Sequence, residues 1–295
     1  MAHYLQWADK GKPGWLRYLV GALLVLVISL FVGQIFSVVG AVLIASQSAA
    51  ATIVKTTFFG FIVSFVLVPL VPRVLNGRPW WSIAMPVRSI RWRELLTGAG
   101  IAVATMAVLN TIGWLSTPQA YTYQGIEASS WIPMLAVAAV AFFVQASTEE
   151  MVYRGYLAQS VWAFTRSPLL ALVIPALIFS VPHLGNVTGS TGLAGLVPYM
   201  IVGLTYGWIA YRSGSLWMST GVHAASNWFI TMFVGSAAEK IAKVSMFTTH
   251  GSSSTGELIA GIAIQNLVVV GLTEAALRGR LSRPDASLGR QGVSL

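Results

Sequence analysis

Long apolar runs separated by short polar or basic segments dominate this chain of 295 residues. Eight runs come close to the about 20 residues that a helix needs to cross the hydrocarbon core of a bilayer. They occupy residues 17–44, 52–72, 94–116, 131–150, 168–185, 194–211, 215–235 and 256–277. The pattern predicts an all-α protein, a polytopic membrane helical bundle of about eight transmembrane helices.

The apolar pattern also divides the chain into three parts. Residues 1–16 form a short polar head, and residues 17–277 form the predicted transmembrane domain. The first apolar run is too long for the core of a signal peptide, so we interpret it as a retained membrane anchor. Residues 278–295 are rich in Gly, Ser and Arg, and we expect this tail to be disordered.

Composition supports the assignment to a lipid environment. Of all residues, 56% are hydrophobic and only 9% are charged, whereas soluble domains have about 25% charged residues. The chain has no cysteine, which excludes disulfides, thiolate metal sites and cysteine-protease chemistry.

Basic residues are distributed unevenly between the two sides of the predicted bundle. The net charge is +9. If the N-terminus is inside, 15 of the 18 Lys and Arg residues fall in inner segments. The positive-inside rule then predicts cytoplasmic N- and C-termini. The basic residues are expected to contact the lipid bilayer. The sequence has no basic patch interleaved with aromatic residues of the kind that indicates nucleic-acid binding.

Two adjacent carboxylates, Glu149 and Glu150, follow the apolar part of the fourth run. Because a charged side chain at the membrane centre costs about 2.5–3.5 kcal/mol on insertion scales, these two require partners or a polar cavity. Arg154 lies four residues after Glu150, on the same helical face, and can form an ion pair with it. Glu149 points about 100° away, which leaves it available for chemistry.

Two of the four histidines also lie inside predicted spans. Phe179 precedes His183 by four residues, and Asn227 follows His223 by four, so each pair shares a helical face.

The spacing around the predicted turns brings these residues together. Glu149 and His183 each lie 17 residues from Arg166, so an antiparallel hairpin places them at equal depth. His223 lies only nine residues after the turn at Gly214. For all three to meet, the first hairpin must extend beyond the second into the cytoplasm, and residues 151–166 are polar enough for this.

Three short motifs occur in order within the region 131–235. They are EExxxR at residues 149–154, FxxxH at residues 179–183 and HxxxN at residues 223–227. Each lies in a membrane segment, and together they resemble the motifs of the CAAX prenyl endopeptidase and bacteriocin-processing (CPBP) family of intramembrane proteases.

The resemblance implies a peptidase that acts on a membrane-associated peptide or protein, lipidated or not. It implies that Glu149 is the general base on water and that His183 helps to position this water. It implies that His223 and Asn227 stabilise the oxyanion, which suits their N–H groups. The remaining motif residues would have supporting roles: Glu150, Arg154 and Phe179.

A zinc-dependent membrane metalloprotease is one alternative, with Glu149 or Glu150, His183 and His223 as ligands. The sequence has no HExxH motif and Arg154 competes for Glu150, so we favour a mechanism with no metal and no other cofactor. The second alternative is a transporter or a non-enzymatic scaffold that uses the same polar cluster. Inverted repeats would favour a transporter, and the sequence shows none.

Overall fold

The computed structural model describes residues 4–46, 48–85, 88–186, 189–236, 244–250 and 254–281. Eight main helices lie in this part of the chain: α1 (Trp15–Leu43), α2 (Ala50–Asn76), α3 (Trp92–Ser116), α4 (Ala128–Thr165), α5 (Pro168–Leu184), α6 (Leu193–Ser213), α7 (Trp217–Met232) and α8 (Thr255–Leu281). They correspond one to one to the predicted apolar runs. The helical membrane bundle is therefore confirmed.

The number of membrane-crossing helices is less definite than the number of helices. Within the described ranges, six helices are long and apolar enough to cross a membrane: α1, α2, α3, α4, α6 and α8. Helices α5 and α7 are shorter, with 17 and 16 residues, so the predicted count of eight spans is approximate. Helix α8 continues to Leu281, and the rest of the predicted tail lies outside the described residues.

One end of the bundle is closed by the N-terminal head and a short turn of 3₁₀-helix at Trp80–Ile83. The side chain of Gln159 in α4 donates hydrogen bonds to the carbonyl oxygens of Tyr4 (3.0 Å) and Ser82 (2.8 Å). The backbone N–H of Leu216, just before α7, donates to the carbonyl of Ala84 at 2.8 Å. The head, the 3₁₀ turn and the α6–α7 connection therefore share this end.

A small sheet at the connections between α3 and α4 and between α7 and α8 was not predicted. Strands β1 (Tyr121–Tyr123), β2 (Val234–Ser236) and β3 (Phe247–Thr249) have three residues each. Strand β3 lies in the centre, antiparallel to β1 and parallel to β2. The sheet ties the connection before α4 to the connection after α7, which are two of the three helices that carry the predicted site.

Helix α4 extends well beyond the predicted end at residue 150. Residues Met151–Leu157 continue it as wider π-helical turns, and the helix ends at Thr165. All residues from 150 to 160 are buried. The extension of the first hairpin beyond the second stays a prediction, and the structure shows that the head and the 3₁₀ turn cover this end of α4. An ion pair between Arg166 and Asp9 anchors the head beside it.

Helices α3 and α7 pack with their backbones almost in contact. A Cβ atom added at Gly98 would lie 2.3 Å from the carbonyl oxygen of Met218, and one at Gly221 would lie 2.0 Å from that of Leu95. Small residues permit this close approach of helices in membranes. The contact fixes the position of α7, and hence of His223.

We predict that Gly98→Ala and Gly221→Ala each lower the free energy of unfolding in detergent micelles by about 1–3 kcal/mol, because the added methyl group meets a rigid backbone oxygen. Gly100→Ala is the matched control on α3, since a Cβ atom there has no neighbour within 4 Å. Equal stability of all three variants would contradict the close contact.

Candidate functional site

The centre of the site is a buried ion pair on α4. Glu150 is 0% exposed and Arg154 is 2% exposed. An Nη1–H of Arg154 donates to Glu150 Oε1 at 2.9 Å, and an Nη2–H donates to the carbonyl oxygen of Gly203 in α6 at 3.1 Å. The predicted i, i+4 pair therefore forms, and it also binds α4 to α6.

The imidazole of His223 lies between the two adjacent carboxylates. Its Nδ1 is 3.0 Å from Glu150 Oε1, and its Nε2 is 3.4 Å from Glu149 Oε2. Because a carboxylate oxygen accepts, the Nδ1 atom carries the proton in the contact with Glu150. His223 thus links the buried ion pair to the second carboxylate.

Glu149 is the more accessible of the two carboxylates, with 12% of its side chain exposed. The amide of Gln145 donates to Glu149 Oε1 at 3.3 Å, and the amide of Asn227 donates to Gln145 Oε1 at 3.4 Å. Gln145 belongs to no motif, and sequence reasoning missed its role. Its position four residues before Glu149, on the same face, is the signal that could have indicated it.

His183 completes the cluster from α5. Its Nδ1 lies 2.9 Å from the carbonyl oxygen of Phe179, which can only accept, so this nitrogen is the donor. In the neutral ring, Nε2 then presents a lone pair. His183 is also close enough to Glu149 for an electrostatic interaction. The equal depth predicted for these two residues is consistent with this proximity.

The ring of Phe179 lies between the two histidines and the buried cation. Its centroid is 5.0 Å from that of His183 and 6.1 Å from that of His223, and the Arg154 guanidinium lies 4.5 Å from it. A cation over an aromatic face is favourable, more so when desolvated. Phe179 therefore contributes a specific cation–π contact as well as packing.

The structure brings all seven predicted site residues into one cluster, and they fall into two groups. Three are partly exposed: Glu149, His183 and Asn227. Four are buried: Glu150, Arg154, Phe179 and His223. The first group forms the more accessible part of the cluster. Glu150, Arg154 and Phe179 support it from within, and the buried His223 directs its Nε2 toward the accessible Glu149.

The head contributes to the environment of the buried ion pair. Tyr4 is fully buried. Burial raises the pKa of the Tyr4 hydroxyl, and the nearby charge of Glu150 raises this pKa further. The phenol therefore stays neutral at physiological pH. It adds no charge next to Glu150 and Arg154.

The site contains His and Glu side chains, which are common metal ligands. Among the residues that the structure describes, no three His, Cys, Asp or Glu side chains are arranged to hold a metal ion. His223 directs one nitrogen at each carboxylate. The arrangement does not fit a three-ligand zinc site.

An apolar cavity of about 350 Å³ lies next to α4 but away from the site. Phe143, Ser147 and Met151 line it, and their spacing of four residues defines one face of α4. Glu149 projects from the opposite side of this helix. The cavity therefore does not open onto the predicted base.

Comparison with known proteins gives two matches. The family of type II CAAX prenyl endopeptidases, Rce1-like, matches residues 130–229. The uncharacterized protein YyaK of Bacillus subtilis (strain 168) is 30% identical over 206 residues, which cover 69% of this chain and 68% of that protein. No solved structure matches the chain.

We predict that Arg154→Met lowers the free energy of unfolding by about 3–5 kcal/mol, because it leaves the Glu150 carboxylate buried without its main partner. The double variant Glu150→Gln with Arg154→Met removes both charges and should recover part of this loss. Thermal unfolding of purified variants in detergent gives the comparison. Strictly additive effects of the two substitutions would contradict the pairing.

Proposed function

Since the chain belongs to the Rce1-like family of type II CAAX prenyl endopeptidases, we propose that it is an intramembrane endopeptidase in which Glu149 activates the attacking water. The observation that supports this proposal is the convergence of Glu149, His183, His223 and Asn227 from three helices. The proposed substrate is a membrane-associated or lipidated peptide or protein, and the proposed mechanism uses no metal.

The first step requires a water molecule near Glu149 and His183. Gln145 donates to Glu149 Oε1 and fixes the orientation of the carboxylate. The other O–H of the water can donate a hydrogen bond to His183 Nε2. This nitrogen has a free lone pair because Nδ1 carries the proton in the hydrogen bond to the Phe179 carbonyl. As the water oxygen attacks the peptide carbonyl carbon, Glu149 takes one proton.

The carbonyl oxygen becomes an oxyanion in this step, and it needs N–H donors. The Asn227 amide and the Nε2–H of a protonated His223 supply them. Asn227 and His223 lie four residues apart on one face of α7, so both can be directed at the same oxygen.

The second step breaks the carbon–nitrogen bond. The oxyanion re-forms the carbonyl, the electron pair of the bond leaves with nitrogen, and Glu149 returns its proton to the amine. The new carboxyl group and the new amine account for the water consumed. No co-reactant beyond water is required.

The bilayer is the proposed setting for this reaction. The apolar helices make the chain an integral membrane protein. We retain the proposal that both termini are cytoplasmic, which the excess of basic residues in the inner segments supports.

We predict that Glu149→Gln lowers the turnover of a cleaved membrane peptide by about 10²–10⁴-fold, since it keeps the shape of the side chain and removes the base. Glu127→Gln is the matched control, because Glu127 is exposed and lies just before α4. Mass spectrometry of the products of reconstituted protein measures both. Wild-type cleavage by a folded Gln variant would exclude Glu149 as the base.

We predict that purified protein contains far less than one zinc per chain and that prolonged chelation leaves activity intact. The reason is that both ring nitrogens of His223 are directed at carboxylates, and no three described His, Cys, Asp or Glu side chains are arranged to hold a metal ion. Elemental analysis and activity after dialysis against a chelator provide the measurement. Stoichiometric zinc, with activity lost on chelation and restored by zinc, would instead support the metalloprotease.

A further inference from the structure

Helix α6 carries none of the three motifs, yet one of its faces forms a wall of the site. Tyr199, Gly203 and Tyr206 are separated by four and three residues, so they lie on one side of the helix. Gly203 accepts the hydrogen bond from Arg154. A Cβ atom at Gly203 would lie 3.0 Å from that of Ala176 in α5 and 3.1 Å from its Cα, so this face is packed closely.

The ring of Tyr199 stacks on the ring of His183. The ring centroids are 4.1 Å apart and the planes differ by 25°. Phe179 contacts the same imidazole, with centroids 5.0 Å apart, and the Phe179 carbonyl fixes Nδ1. These contacts restrict the tilt and rotation of the ring and leave Nε2 as its available nitrogen.

Tyr206 makes the corresponding contact with His223. The ring centroids are 4.7 Å apart and the planes differ by 32°. Tyr206 is only 4% exposed. The Arg154 guanidinium lies 5.4 Å from the same ring. Burial therefore holds the Tyr206 ring in place against the imidazole.

We infer that Tyr199 and Tyr206 are positioning residues, each of which holds one site histidine in its working orientation through ring stacking. This inference rests on the proposed function of His183 and His223. Their role is assigned through the imidazoles on which they stack. Because a displacement of about 1 Å at a reacting group can cost about 100-fold in rate, loss of either ring should affect turnover.

The test compares Tyr199→Leu and Tyr206→Leu with the matching Phe variants. Each Leu variant should lower kcat by about 10- to 100-fold with KM nearly unchanged, because the histidine is misplaced while substrate contacts remain. Each Phe variant retains the stacked ring and should recover most of kcat. Tyr211→Leu is the control on the same helix, since Tyr211 packs near Trp208.

The outcomes separate this inference from the proposed function. Folded Leu variants with wild-type kcat would overturn the positioning role, and so would Phe variants as impaired as the Leu variants. If Glu149→Gln keeps full activity in the same assay, the proposed function fails instead.

A spectroscopic measurement tests the stacks independently of activity and remains available if a Leu variant does not fold. In the wild type and the Phe variants, the ring protons of His183 and His223 should show upfield ring-current shifts by NMR with labelled histidine. Ordinary shifts in the wild type would overturn the inference.

Discussion

The constraint on which the site depends is the burial of the Glu150 carboxylate inside a membrane protein. A charge in this position needs compensation, and Arg154 and His223 both bind the Glu150 Oε1 atom, from α4 and α7. The same Arg154 guanidinium that pairs with Glu150 also donates to the carbonyl oxygen of Gly203 in α6. One buried charge therefore fixes the relative positions of three helices, and the accessible residues of the site take their places from this arrangement.

Backbone contacts through glycine make this arrangement possible. Helix α7 approaches α3 at Gly98 and Gly221, and α6 approaches α5 at Gly203. In a membrane, where lipid is as apolar as leucine, close packing and hydrogen bonds replace the hydrophobic effect as the forces that associate helices. The glycine contacts and the polar cluster therefore act together. The glycines allow the helices to approach each other closely, and the ion pair and its hydrogen bonds determine how the helices are aligned along their axes.

The sequence predicted what depends on local periodicity. Apolar runs predicted the helices, and the spacing of four residues predicted the pairing of Glu150 with Arg154 and the shared helical face of Phe179 and His183. Contacts between helices were less predictable. Tyr199 and Tyr206 look like ordinary membrane aromatics until the packing of α6 is known, and no local pattern indicates three-residue strands. The polar residues after Glu150 suggested an extension into the cytoplasm. In the structure the head covers them, and this was not predicted because contacts between the head and a distant helix leave no short-range pattern in the sequence.

The two adjacent glutamates occupy different environments on one helix. Neighbouring side chains on a helix diverge by about 100°, so Glu150 faces the buried cation while Glu149 faces the partly open side. His223 joins them, with one ring nitrogen directed at each carboxylate. A proton on His223 therefore stabilises both carboxylates at once, and a change at Glu149 alters the charge balance that Glu150 experiences. Glu149, the proposed base, and the buried ion pair are distinct in position but linked through one imidazole.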